Sequence, residues 1–368
     1  MTEPVRRVTV RTIERDMGGA VWNPRTRWSR KVMLLGFVED GAGRLGVGEA
    51  WLHEGGAGAI RSIIEDDLAP LVVGRSPLEA RGLTETVFRA AELSGRTGAS
   101  AAAWGALDAA LWDLAARQLD LPLADLLGRA HRRVPVYASA GLYGEGKTPE
   151  TLGEEVAGWV AQGFDAVKIK VGGASVTEDT ARVAACREAI GADVRLMVDA
   201  LYNCTAAGAI ALARAFEPYD VHFLEAPVAP SDIAGMARVN AASPIPVCGN
   251  ENMAWAPYFR DLVLARATEF VQFDVAACGG VTEAKRIGEL AHCHGLPATL
   301  HASSTSVLYA VSLHVAASLP NIHSVEHHML HQWFWERAPD GAFAVEDGTL
   351  APPAGPGIGI ALTPDDLD

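Results

Sequence analysis

From residue 134 to residue 326, short apolar runs alternate with amphipathic helical patterns, and this alternation constrains the fold more than any other feature of the chain. The runs are Val134–Ser139, Ala166–Val171, Val194–Asp199, Val221–Glu225, Ile245–Gly249, Phe270–Asp274, Pro297–His301 and Ser324–Glu326. Between them, Pro149–Gln162, Thr177–Ile190, Ala206–Phe216, Asp232–Ala242, Pro257–Arg266, Thr282–His294 and Thr305–Ser318 carry helical periodicity. Strand–helix alternation specifies a parallel sheet, because each helix crosses back over the sheet to start the next strand. Eight strands specify closure into a (β/α)8 barrel. The expected fold class is α/β.

The residues before the barrel read differently. Val8–Glu14, Val32–Glu39 and Arg44–Trp51 alternate like antiparallel strands, with Asp40-Gly41 as a turn. Met17–Arg30, with Gly18-Gly19 and Asn23-Pro24, reads as a loop, and helices are expected over Ala57–Leu68, Pro77–Ala91 and Ala99–Gln118. The division expected is an α+β unit over residues 1–130, the barrel over 131–335 and a Pro/Gly-rich tail over 336–368 that returns to the first unit. Such a chain, 49% hydrophobic and 21% charged, buries a sizeable core. A net charge of −14 argues against nucleic acid and against an anionic membrane as partner. There is no apolar span or secretory h-region, and the five cysteines are scattered with no CxxC pair, so buried thiols in the cytoplasm are expected.

Ionisable residues mark the strand ends. Lys168 and Lys170, Asp199, Glu225, Glu251, Asp274, His301 and Glu326 lie in, or just beyond, seven of the eight runs. One acid at a strand end is ordinarily a helix cap. An ordered series around a barrel mouth, where active sites gather, is not explained by caps. Asp199, Glu225 and Glu251 come from successive strands, so closure brings three carboxylates together, and they repel unless a cation intervenes. An all-oxygen donor set without Cys or His points to Mg2+ and away from Zn2+. Lys168 and Lys170 share the interior face. Two adjacent ammonium groups are expected to lower each other's pKa and make Lys170 a general base. Asp274 and His301, on neighbouring strands, form an acid/base dyad. His327, His328 and His331 show no metal-ligand spacing.

A competing pattern is Gly141-Leu-Tyr-Gly-Glu-Gly-Lys147-Thr148, which matches the phosphate-loop string GxxxxGK(S/T) and would make the chain a nucleotide-binding protein. That loop needs its Thr in the first helical turn, whereas Thr148 precedes Pro149 and is pushed away from helical geometry.

The whole set resembles the mandelate racemase subgroup of the enolase superfamily. The resemblance rests on Lys168-Ile169-Lys170, the series Asp199, Glu225 and Glu251, the Asp274…His301 dyad and Glu326. Supporting stretches are Gly46-Val-Gly-Glu49, Ala106–Asp113, Gly279–Glu283 and Gly355–Gly359. It implies a modified TIM barrel with an α+β capping domain completed by the C-terminal tail, and Mg2+ as cofactor. It implies a small-molecule carboxylate as substrate, which loses its α-proton, and a homo-oligomer. Lys168 and a protonated Glu326 are expected to hold the substrate's carboxylate oxygens. Met17–Arg30 and Trp51–Gly58 are the expected lid segments, with Trp22, Arg25, His53 and Tyr143 as substrate contacts. Leu201 and Ala226 depart from the subgroup, which often has Asn and Glu there. The reaction expected is elimination of water from an aldonate or aldarate to a 2-keto-3-deoxy acid. Racemisation, epimerisation or lactone cycloisomerisation is the alternative on the same scaffold.

Overall fold

The computed structural model describes residues 2–93 and 95–367. Its first unit is an antiparallel sheet in which Arg30–Asp40 lies between Val5–Asp16 and Leu45–Ala50. Helix Ala99–Gln118 packs across it, burying Trp104, Leu107, Leu111 and Leu114 completely. Two glycines make that approach possible. A Cβ on Gly46 would lie 2.1 Å from the Ala110 carbonyl oxygen, and one on Gly48 would lie 2.1 Å from that of Ala106. Gly48→Ala is therefore expected to cost about 2 kcal/mol or more, because helix backbone must move to admit the methyl. Urea melts of the two proteins would show it, and equal stability would mean the helix shifts freely. The first expected cap helix contains a π turn, Ile63–Leu68, and the second opens with a single 3-10 turn, Pro77–Glu79, capped by Ser76.

The barrel strands are Val134–Ser139, Ala166–Lys170, Arg195–Asp199, Val221–Glu225, Val247–Gly249, Phe270–Asp274, Ala298–His301 and Ile322–His328. They pair in parallel in chain order, and the eighth closes on the first through Glu326 opposite Tyr137 and His328 opposite Ser139. Seven helices cross back between them as expected, each within a few residues of the sequence reading. Interior positions alternate, so Tyr137, Met197, Phe223 and Cys248 form an apolar plug, with Phe270 packed against it. Above the plug the interior residues are the ionisable ones.

The barrel is modified at its end. Among the described residues no α-helix follows the eighth strand; the chain makes two 3-10 turns, Trp335–Arg337 and Pro364–Leu367. Trp335 stacks on Tyr309 with ring centres 5.7 Å apart and meets His327 edge-on at 4.9 Å, with Phe343 beside them. His327 is thereby a packed outer-face residue, its Nδ1 2.8 Å from the Tyr309 hydroxyl. The tail then runs onto the cap helix. Asp113 accepts from the Ile358 and Val47 amides at 2.8 and 2.9 Å, joining tail, helix and cap sheet through one carboxylate. Thr349–Leu350 adds an antiparallel strand at the first barrel strand. Of the cysteines, Cys186, Cys248 and Cys278 are buried, but Cys293 is exposed at a helix end, contrary to the sequence expectation. Among the described residues, no helix is long and apolar enough to cross a membrane.

Candidate active site

The strand-end residues converge because the register places them side by side. Lys170 pairs with Asp199, Asp199 with Glu225, and Asp274 with His301. All eight expected ligand and acid/base residues are buried, from 0% exposed for Lys168, Glu225, Asp274 and Glu326 to 6% for Lys170 and His301. The backbone behind two of the carboxylates is left-handed at non-glycine positions: Leu201 (φ 43°), Tyr202 (φ 60°) and Ala226 (φ 45°). Such strain gathers at functional sites, where surrounding structure holds the turn. The Asp199 Oδ1 steadies it by accepting from the Leu201 amide at 2.8 Å.

The charges organise into two groups. Lys168 Nζ lies 2.6 Å from Glu225, 3.2 Å from Glu326 and 3.9 Å from Asp199, while Lys170 pairs with Asp199. His301 Nδ1 is 2.7 Å from Asp274 Oδ2, and its Nε2 is 3.3 Å from Glu326. Asp274 is fixed in turn by the Ala276 amide at 2.8 Å. Burial disfavours the imidazolium, but Glu326 and Asp274 outweigh it and push His301 up to about 9. At neutral pH this histidine is an acid.

Two expectations about charge state are corrected. Burial and Lys168 both work against a charged Lys170, yet the Asp199 carboxylate holds its pKa above the ordinary lysine value. Burial alone would protonate Glu326, but Lys168 and His301 pull it well below the usual carboxylate range. It is an ionised acceptor between two cations and not a hydrogen-bond donor.

The metal expectation meets a mixed arrangement. As placed, no three His, Cys, Asp or Glu among the described residues draw together closely enough to hold an ion; the lysine ammonium groups lie against the carboxylates. The donors nevertheless fit a hard divalent cation. Glu225 Oε1 and Glu251 Oε2 are buried with no hydrogen-bond partner, and both residues stand beside Asp199. Burial, with the neighbouring carboxylates, raises Glu225 to about 8 and raises Glu251 as well. Orphaned, mutually repelling carboxylate oxygens are a site short of positive charge.

A cavity of about 290 Å3 opens over these groups, lined on the barrel side by Lys170, Glu251, His301 and His328. Arg25 and His53 reach it from the cap, as expected. Trp22 and Tyr143 do not. Val21–Trp22 pairs with Tyr143–Gly144, which turns both rings into a separate hollow beside Lys147 and Arg182. The Tyr143 hydroxyl is spent inside the barrel wall, donating to Asp179 at 2.6 Å and accepting from the Gly173 amide at 2.9 Å. The phosphate-loop pattern also dissolves: Thr148 caps helix Pro149–Val160 from an extended conformation, and Lys147 pairs with Glu155. Trp28 and Trp51, from the two expected lid segments, do line the cavity, whereas sequence reading missed Ser303 and His328 as walls. His328 carried a signal, since alternation from Glu326 points it inward.

Comparison with known proteins decides the family. Residues 25–128 match the mandelate racemase/muconate lactonizing enzyme N-terminal domain, and residues 151–366 match the enolase C-terminal domain-like model. The chain belongs to the enolase superfamily. Within its mandelate racemase/muconate lactonizing enzyme group, it is 31% identical over 325 residues to an arabinonate dehydratase of Saccharolobus solfataricus, covering 88% of this chain and 87% of the relative. A 3,6-anhydro-alpha-L-galactonate cycloisomerase of Streptomyces coelicolor is 32% identical over 327 residues, with the same coverage of 88% and 87%. The crystal structure of a racemase from Streptomyces coelicolor A3(2) with bound magnesium superposes with a TM-score of 0.90 at 28% identity, covering 99% of this chain and 98% of that one. Enolase-superfamily relatives thus span dehydration, cycloisomerisation and racemisation on one scaffold.

Proposed function

We propose that this enolase-superfamily chain removes the α-proton of a hydroxycarboxylate and, in its own reaction, eliminates water from an aldonate or aldarate to give a 2-keto-3-deoxy acid. The observation that carries this is the opposition of Lys170, on the second barrel strand, to the Asp274–His301 dyad on the sixth and seventh, across one cavity. A substrate carbon between them meets a base on one face and an acid on the other. Asp199, Glu225 and Glu251 are the residues that would hold Mg2+. The cation would stabilise charge developing on the substrate's carboxylate as the α-proton leaves.

The chain's own groups account for the proton traffic. Lys170 stays charged while Asp199 is its partner; once that carboxylate is engaged elsewhere, burial favours the neutral amine a base requires. The α-proton goes to Lys170. His301 gives its proton to the β-hydroxyl, which departs as water, and the resulting enol takes a proton at the neighbouring carbon to become the keto acid. Lys168, 0% exposed and paired with Glu225 and Glu326, places a fixed positive charge behind the site where carboxylate charge builds. Asn23, Arg25, His53, Asn252 and Ser303 give the cavity hydrogen-bonding groups suited to a hydroxylated chain, and Trp28 and Trp51 give flat apolar walls.

The test is a stereochemically complete library of aldonic and aldaric acids with Mg2+, assayed for 2-keto acid and followed by proton NMR. A 2-keto-3-deoxy product from at least one member supports dehydration. Epimerised acid or opened lactone, with keto acid from none, would replace dehydration by isomerisation and keep the proton abstraction.

A further inference from the structure

Lys31 takes no part in the chemistry above, and its burial asks for a reason. It stands second in cap strand Arg30–Asp40, next to exposed Arg30, yet is 1% exposed. Its ammonium donates to the Leu52 carbonyl and to the Ser303 carbonyl, each at 3.2 Å. Leu52 belongs to the cap segment that supplies Trp51 and His53 to the cavity; Ser303 lies two residues beyond His301. The same nitrogen sits 5.5 Å from the ring centres of both Trp28 and Trp51, within cation–π reach of each.

Both indoles are themselves committed to the site. Trp28 stacks on His53 at 4.7 Å, and Trp51 meets the His301 ring edge-on at 5.2 Å. One charge therefore joins three segments: residues 17–30, residues 51–58 and the loop behind the catalytic dyad. The ionisable groups around it are Glu49, whose carboxylate accepts from the Thr305 hydroxyl at 2.6 Å, and Asp274, with His53 and His331 as nearby imidazoles. Burial outweighs both carboxylates and lowers Lys31 to about 8. Charging this lysine works against folding below about pH 8, so its ammonium is a poor device for stability. The stability it forgoes returns as pH rises from about 8 towards the ordinary lysine value.

We propose that Lys31 is a positioning residue whose ammonium fixes the capping segments on the barrel mouth, holding Trp51 against His301 and Trp28 against His53. This rests on the reading of His301 as the acid/base group. A charge kept for geometry at a cost in stability has a signature that a structural role lacks: its removal harms binding and spares the fold.

The experiment compares wild type with Lys31→Met, which keeps an unbranched apolar stem and loses donors and charge, and with Lys31→Arg, which keeps donors and charge. The expected result for Met is a Tm no lower than wild type by more than a few degrees, with KM raised about tenfold and kcat changed less than about threefold, because fewer molecules hold the binding-competent arrangement. Arg is expected to restore KM to within about threefold. Met with wild-type KM, or Arg as impaired as Met, overturns the proposal, as does a Met variant whose only change is a lower Tm. Wild-type turnover of an acid sugar is measured first, and its failure strikes the functional reading alone. Lys31 is then judged by amide exchange over residues 51–53, expected to be about tenfold faster in Met; unchanged exchange overturns it.

Discussion

Lys170→Ala and His301→Asn are each expected to lower turnover by about a thousandfold or more, because each removes one of the two groups proposed to move protons in the cavity. Their effects on partial reactions differ. Without Lys170, a substrate whose α-proton faces that side neither exchanges in heavy water nor eliminates. Without His301, exchange persists while water loss stops, since the amine still takes the proton but no acid meets the hydroxyl. Single-turnover assays with proton NMR separate the two, and wild-type elimination by either variant would remove that residue from the mechanism. The pH profile follows from the same dyad. With His301 raised to about 9, its imidazolium is present at neutral pH and is lost as pH rises through about 9, so acid-dependent elimination falls on that side. The stabilising contacts of the charged ring with Asp274 and Glu326 are full below the ordinary histidine value and fade over the same range.

Glu225→Gln is expected to weaken Mg2+ binding by at least about a hundredfold, since even the partners of metal ligands are worth about ten- to a hundredfold. Calorimetric titration and the Mg2+ dependence of turnover should move together. The variant also removes the carboxylate nearest Lys168, at 2.6 Å, leaving that ammonium with Glu326 and a more distant Asp199. A titration identical to wild type would reject Glu225 as a ligand.

Much of this site was legible because barrels tie sequence position to place. A strand end is at the mouth and alternate residues face inward, so Lys168, Lys170, Asp199, Glu225, Asp274, His301 and Glu326 could be set around one axis from spacing alone. Strand limits slipped by a few residues: the eighth strand runs Ile322–His328, two residues past the Ser324–Glu326 reading at each end, and the fifth starts at Val247 and not at Ile245, where Pro246 has no amide to give the ladder. Charge states were not legible. Lys170 and Glu326 each came out opposite to expectation because their nearest partners, Asp199 and Lys168, come from other strands, and side-chain contact across strands decides a buried pKa. The cap contacts were harder still. Trp22 and Trp28 lie six residues apart in one loop; the pairing of Val21–Trp22 with Tyr143–Gly144 sends the first away from the cavity and leaves the second inside it. Lys31 falls between the expected loop Met17–Arg30 and strand Val32–Glu39, and only the barrel loop above it shows that it is buried.

Loss of the α-proton from a bound hydroxycarboxylate is the step on which everything above depends, and isotope exchange reads it directly. Wild-type protein with Mg2+ and the acid-sugar library in heavy water is followed by proton NMR, beside a chelated sample. The expected result is disappearance of the α-proton signal from at least one acid, with or without keto-acid formation, and no such loss after chelation. Retention of the α-proton in every acid, or its loss at an equal rate without metal, would contradict the proposed chemistry.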